Sequence, residues 1–326
     1  MSAQDARKGQ EPVTGDTQVV TAEPAQAKPR HRRRLSEGAR AERRLGWTLC
    51  APAVLVMMAV AAFPILYAVW LSLQRYDLRF PQQAHFIGLT NYGAVLTSQY
   101  WWHALVVTLI ITVISVAIEF VLGMLLAILM FRTPFFRGTM RTMILIPYGI
   151  VTVAAAYGWQ YAWTPSTGYL SALFGNSAPL TKTVAAIAII ILAEVWKTTP
   201  FMALLLMAGL SLVPEDLLKA AKMDGASAWQ RFVRVTLPLM KPAILVALLF
   251  RTLDAFRIFD SAYIISNGPN PHLETVSILG YNQLLNRLNL GLGSAVSVLI
   301  FICVILIAFT FVKVLGTSLA QQRGER

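Results

Sequence analysis

The chain has 326 residues, 56% of them hydrophobic and only 13% charged, with a mean hydropathy of +0.58. That composition excludes an ordinary soluble domain and fits a protein that crosses a membrane several times. A net charge of +12 would suit nucleic acid, but ten of the 28 Lys and Arg lie in the first 44 residues and most others flank apolar segments. Charges placed that way orient spans and touch anionic lipid, so membrane lipid is an expected partner and nucleic acid is not.

Residues 1–44 are polar and rich in Ala, Gln, Pro and Arg, and are predicted to be a disordered basic tail. A cleaved leader is not expected, because the first apolar run is too long and what precedes it too extended. Six apolar segments follow, at about 46–73, 104–131, 141–163, 183–211, 242–265 and 292–315. Each is long enough to cross about 30 Å of hydrocarbon, where backbone groups must bond internally, so each is predicted to be a helix. The connections on one side carry 21 Lys and Arg, those on the other only Arg75, Arg79, Lys182 and Arg287. This positive-inside asymmetry predicts both termini on the cytoplasmic side.

Between the fourth and fifth segments runs an amphipathic stretch, Ser211 to Pro238. Pro214 suits a first helical position, Glu215 and Asp216 the positive end of a helix dipole, and Gly225 a left-handed helix end. Ser227 and Gln230 form a capping box for a second helix, with Trp229, Phe232, Val233 and Thr236 as its apolar face and Pro238 as its stop. The stretch predicts two short helices joined by a glycine turn.

That order of residues resembles the coupling loop of permease subunits in binding-protein-dependent ABC importers. Ala220-Ala221, Asp224-Gly225-Ala226, Phe232 and Leu237-Pro238 fall in the family's register, while Lys219 stands where the family usually has Glu. Further resemblances are Phe86-Ile-Gly-Leu-Thr-Asn-Tyr92, Phe136-Arg-Gly138 with Arg141 and Pro147, and Phe259-Asp-Ser-Ala-Tyr263 with Asn267-Gly-Pro269, where one Gly of the usual pair is missing. They point to the carbohydrate branch, alongside maltose-type and glycerol-phosphate-type permeases.

The resemblance implies an all-α polytopic membrane protein with six transmembrane helices and a cytoplasmic two-helix coupling loop at 212–240, within a transmembrane domain at 45–320 and a short cytoplasmic end at 321–326. It implies half of a pathway for a disaccharide such as trehalose or maltose in a bacterial inner membrane. Lys219, Ala220, Ala221, Asp224, Gly225, Ala226 and Phe232 would engage an ATPase. The implied partners are a second, non-identical permease subunit, two ATPase subunits holding ATP and Mg²⁺, and an extracellular solute-binding lipoprotein docking on 74–103 and 266–291. No cofactor is expected on this chain. It has no G-x-x-x-x-G-K-[ST] phosphate loop, and neither Cys50 and Cys303 nor its four histidines have ligand spacing.

Ionisable residues inside spans cost roughly 2.5–3.5 kcal/mol each on insertion scales, so each calls for a partner or a wet cavity. Seven occur: Glu119, Glu194, Lys197, Arg251, Asp254, Arg257 and Asp260. Glu194 and Lys197 are three apart and can pair, beside Pro200, which should kink or loosen the helix. On a continuous helix, Arg251, Asp254 and Arg257 share an arc of about 120° and could line one cavity, with Asp260 opposite. Sugars need polar groups for hydroxyls and aromatic faces for the ring. Glu194, Trp196, Lys197, Thr198, Arg251, Asp254, Phe256 and Arg257 are therefore candidates for the substrate pathway. Salt bridges between helices explain the same charges as well, and Glu119 reads as a contact between subunits. Trp101, Trp102, Trp159, Tyr161 and Trp163 read as an interfacial belt. Two rivals remain: an ion- or proton-coupled secondary transporter, which leaves the coupling loop unexplained, and a membrane-embedded enzyme, for which no nucleophile or metal motif is present.

Overall fold

The computed structural model describes residues 37–132, 137–174, 178–268 and 270–322. The basic tail as far as residue 36, Phe136, Pro269 and residues 323–326 lie outside the described residues. The chain divides into a unit ending at Met58 and a unit beginning at Ala59. The first contains helix α1 (Glu37–Met57), which carries Pro52 in its interior.

The second unit opens with a π-helical turn running into α2 (Phe63–Ser72). A two-residue antiparallel pair, β1 (Gln74–Arg75) and β2 (His85–Phe86), leads to α3 (Thr90–Leu96) and the long α4 (Gln99–Arg132). Then come α5 (Arg137–Gly149), α6 (Thr152–Ala162), α7 (Tyr169–Leu173) and α8 (Thr183–Leu210). Two short helices, α9 (Glu215–Met223) and α10 (Ala228–Arg231), form the loop, and a π-helical turn and α11 (Leu237–Leu239) connect to α12 (Lys241–Phe256). The chain closes with α13 (Asp260–Ile265), α14 (Val276–Tyr281) and α15 (Leu290–Gln322).

Among the described residues, four helical stretches are long and apolar enough to cross a membrane: Leu45–Ser72, Gln99–Phe131, Thr183–Leu210 and Leu290–Val314. The third and fifth expected spans are not single straight helices. The third turns through 87° between Thr142–Gly149 and Thr152–Ala162, because Val151 leaves the helical region with ψ 130°. Pro147 and Gly149, both poor helix formers, stand just before that corner. The fifth begins as the 16 residues of α12, which cover only about 24 Å, and resumes as α13 after a break at Arg257–Phe259. Pro200 is accommodated inside α8, which continues through it as one helix.

Helix α8 is the axis of the fold, with 67% of its apolar window buried. Helix α4 lies along it at close range. A Cβ at Gly123 would sit 2.8 Å from Met202 Cγ and 3.2 Å from the Ala203 nitrogen, so only glycine permits this approach. Packed apolar clusters lie to either side of the helix midpoints. Ile111, Ile190 and Ile265 belong to one, Met202, Leu206 and Met240 to another. Of the residues expected in an aromatic belt, Trp101 is buried in a third cluster with Ala104 and Val276, while Trp102 and Tyr161 are exposed.

The loops at 74–103 and 266–291 are tied together beyond the span ends. Asn91 donates to the Ser72 and Gln74 carbonyls at 2.8 Å each, and Leu78 N–H reaches the Leu288 carbonyl at 2.9 Å. Gly291 N–H bonds to the Tyr76 carbonyl at 3.1 Å. Asp77 holds Arg79 through a 2.6 Å ion pair, and this hydrogen-bonded guanidinium lowers its carboxyl to about 2.

Candidate functional site

Near the midpoints of α4 and α8, a charge cluster joins three elements that are far apart in sequence. Arg251 of α12 is 1% exposed. Its Nε and Nη2 both donate to the Glu119 carboxylate of α4, the latter at 2.9 Å. Nη2 also reaches Glu194 of α8 at 3.1 Å, and Nη1 reaches Asp254 at 2.7 Å. The other Glu194 oxygen accepts from the Ser261 hydroxyl of α13. A planar guanidinium with donors in a fixed fork suits this shared grip on three carboxylates.

This geometry corrects several expectations. Glu119 is not a contact between subunits; it is fully buried and clamps Arg251. Glu194 pairs with Arg251 and not with Lys197, whose ammonium instead lies 5.7 Å from the Tyr148 ring centre. Arg251, Asp254 and Arg257 do not line one cavity, because Arg251 is sealed inside while Asp254 and Arg257 are exposed. Asp260 is not opposite Arg251 on a shared helix, since the helix ends at Phe256; it stands in the first turn of α13 instead. Phe256 is 1% exposed among Trp101, Val276 and Ala295 and presents no face to a ligand. Thr198 is buried, its hydroxyl bonded to the Glu194 carbonyl at 2.7 Å. Trp196 is 40% exposed and meets Trp159 edge-on at 6.1 Å. The candidates thus separate into a buried frame (Glu194, Thr198, Arg251, Phe256) and an accessible set (Trp196, Lys197, Asp254, Arg257).

Ser261 belongs to the frame and was missed by sequence reasoning. It lies across a helix break from Arg251, so no periodicity links the two.

The coupling loop is built as its sequence predicts, with two adjustments. Gly225 has φ +80°; its N–H bonds the Lys222 carbonyl at 3.1 Å and that of Ala226 bonds Ala221 at 3.0 Å, the double closure of a Schellman turn. Ser227 and Gln230 make both bonds of the capping box, at 3.2 and 2.7 Å. Pro214 is the N-cap residue and not the first helical one. Pro238 does not stop the second helix. It occupies the first turn of α11, where its missing N–H costs nothing.

Lys219 lies 3.6 Å from Glu215 and 3.5 Å from Asp216, all well exposed. Leu217, Ala220, Met223 and Asp224 form an outward face, Met223 being 87% exposed. Phe232 turns the other way and packs with Leu206, Leu210, Val213 and Met240.

Residues 119–321 match the family described as "Binding-protein-dependent transport system inner membrane component". Over 279 residues the chain is 61% identical to the trehalose transport system permease protein SugA of Mycobacterium tuberculosis (strain H37Rv), spanning 85% of this chain and 91% of that one. Over 279 residues it is 37% identical to the trehalose/maltose transport system permease protein MalF of Thermococcus litoralis, spanning 84% and 94%. A solved structure of a bacterial ABC transporter for alginate import has a similar fold, with TM-score 0.72 at 21% identity over 86% of this chain and 99% of that one.

Proposed function

This chain belongs to the family of inner membrane components of binding-protein-dependent transport systems, and we propose that as such a permease subunit it carries a disaccharide, trehalose in the first instance. It forms half of the translocation pathway, and a non-identical permease subunit supplies the other half. Two ATPase subunits, which hold ATP and Mg²⁺, take one coupling loop each. The loop and both termini face the cytoplasm of a bacterial cell, in keeping with the excess of Lys and Arg on that side. An extracellular solute-binding lipoprotein docks on the joined loops 74–103 and 266–291.

The observation that carries the reading is how the coupling loop is mounted. Its outward face, around Met223, Asp224 and Gly225, is free for an ATPase, while Phe232 is fixed in the cluster that holds the end of α8 and the start of α12. A push on the loop therefore moves both helices. Arg251 passes the movement to α4 through Glu119 and ties it to α8 through Glu194. The accessible Asp254, Arg257, Lys197 and Trp196 then offer a sugar its charged hydrogen-bond partners and an aromatic face. A secondary transporter could use buried carboxylates as a proton relay, but it would have no use for a loop folded and mounted in this way.

The test is Gly225→Pro in the reconstituted complex. Proline fixes φ near about −65° and lacks the N–H that closes the turn, so α9 and α10 cannot keep their angle. The spans do not depend on this residue, so the complex should assemble and hydrolyse ATP while sugar accumulation is lost. Normal trehalose uptake by this variant would refute the coupling role.

A further inference from the structure

A groove of about 840 Å³ opens between α4 and the coupling loop. One wall is the face of α4 bearing Phe120, Met124 and Ile128; the other is Leu218, Trp229 and Phe232. The α4 wall continues outward through Val121, Leu125 and Phe131, which are 56%, 60% and 40% exposed. The groove's charged lining is Lys219, Lys222 and Arg231 with a single carboxylate, Glu215. Lys219 is engaged by Glu215 and Asp216, whereas Lys222 and Arg231 have no carboxylate partner among the described residues.

From Phe120 to Phe131 the wall rises about 16 Å, at 1.5 Å per residue. That is half of the roughly 30 Å hydrocarbon thickness, the depth of one leaflet. The cations sit at the end where that leaflet's headgroups lie, and Trp229, 71% exposed, has the position of an interfacial aromatic. An apolar slot one leaflet deep under two unneutralised cations matches a single amphiphile with an acyl chain and a negative head. A free phosphate would leave the apolar walls wet, and a protein segment would need acidic residues to answer the rim. We propose that this groove is a binding site for one anionic phospholipid of the cytoplasmic leaflet, wedged between α4 and the coupling loop.

The proposal rests on the cytoplasmic placement of that loop, but its test reads bound lipid and not transport. Loss of the coupling role in the Gly225→Pro experiment would leave it standing. The complete transporter is purified and titrated with phosphatidylglycerol or with phosphatidylcholine of the same chains, and retained lipid is counted by native mass spectrometry. One phosphatidylglycerol per copy of this chain should bind at least tenfold more tightly than phosphatidylcholine. Lys222→Gln with Arg231→Gln should weaken it about 25-fold, from roughly fivefold per cation near an anionic head. Lys222→Arg with Arg231→Lys should keep the affinity, which separates charge from folding. Leu125→Trp, which fills the groove, should expel lipid of either kind. Equal affinity for the two lipids, or full retention by the double Gln variant, would overturn the proposal. So would a photo-crosslinker at position 125 that captured the second permease subunit or the ATPase in place of lipid.

Discussion

Glu119→Ala should be among the most damaging single changes in the membrane part, although Glu119 belongs to neither the coupling loop nor the outer loops. Arg251 makes four charge-assisted bonds, two of them to Glu119. The Asp254 side chain is 68% exposed, so water can replace it, but Glu119 is 0% exposed and nothing can take its place. Losing two such bonds at about 1.5–3 kcal/mol each gives a cost of about 3–6 kcal/mol. That brackets the roughly 3–5 kcal/mol typical of breaking a buried ion pair. At about 2 °C per kcal/mol, near the low end for large domains, the melting temperature should fall by about 8 °C, read from tryptophan fluorescence of the purified complex. The decisive comparison is a double-mutant cycle with Arg251→Met and Glu119→Leu. Removing both charges should cost at least about 2 kcal/mol less than the sum of the single changes. Additive effects, or a fall of less than about 1 °C for Glu119→Ala, would refute the view that the cluster binds three helices together.

Asp254→Asn and Trp196→Ala should raise the KM for sugar uptake while changing the melting temperature by less than about 2 °C, since both side chains are accessible; uptake assays paired with melts check this. Gly123→Val should prevent α4 and α8 from closing, because its Cβ falls 2.8 Å from Met202 Cγ, and the complex should be lost from size-exclusion profiles. The Asp77–Arg79 brace should be insensitive to pH through the neutral and mildly acidic range. Its lowered carboxyl contributes above the ordinary value of 3.8 and is lost only as pH falls through about 2. Hydrogen exchange at the Arg79 N–H, bonded to Asp77 Oδ1 at 2.9 Å, should therefore show unchanged protection, corrected for intrinsic rate, between pH 7 and pH 5.

The coupling loop was legible because its signals are local. A Schellman glycine and an S-x-x-Q box each act within a few residues, and both appear where the sequence puts them. The existence of apolar segments was equally readable, since composition alone produces them. Their continuity was not. The arc assigned to Arg251, Asp254, Arg257 and Asp260 assumed 3.6 residues per turn throughout, but regular helix ends at Phe256, and periodicity carries no information across a break. The corner at Val151 was hidden because a β-branched residue is as much at home in a span as outside one. The partner of Glu119 is 132 positions away, a pairing fixed by the packing of α4, α8 and α12 and not by any spacing within one helix. Sequence reasoning could show that the buried charges needed partners, not which ones they would find.

The central claim, that the Glu215–Met223 and Ala228–Arg231 helices hand an ATPase's motion to the membrane spans, is tested most directly by a single labelled position. Cys50 and Cys303 are replaced by Ser, and Met223, 87% exposed on the outward face, becomes the sole cysteine. A membrane-impermeant maleimide should label it in inside-out vesicles stripped of ATPase, fail to label it in right-side-out cells, and be blocked when the ATPase subunits are restored. Labelling from outside the cell, or labelling that ATPase does not block, would contradict the account.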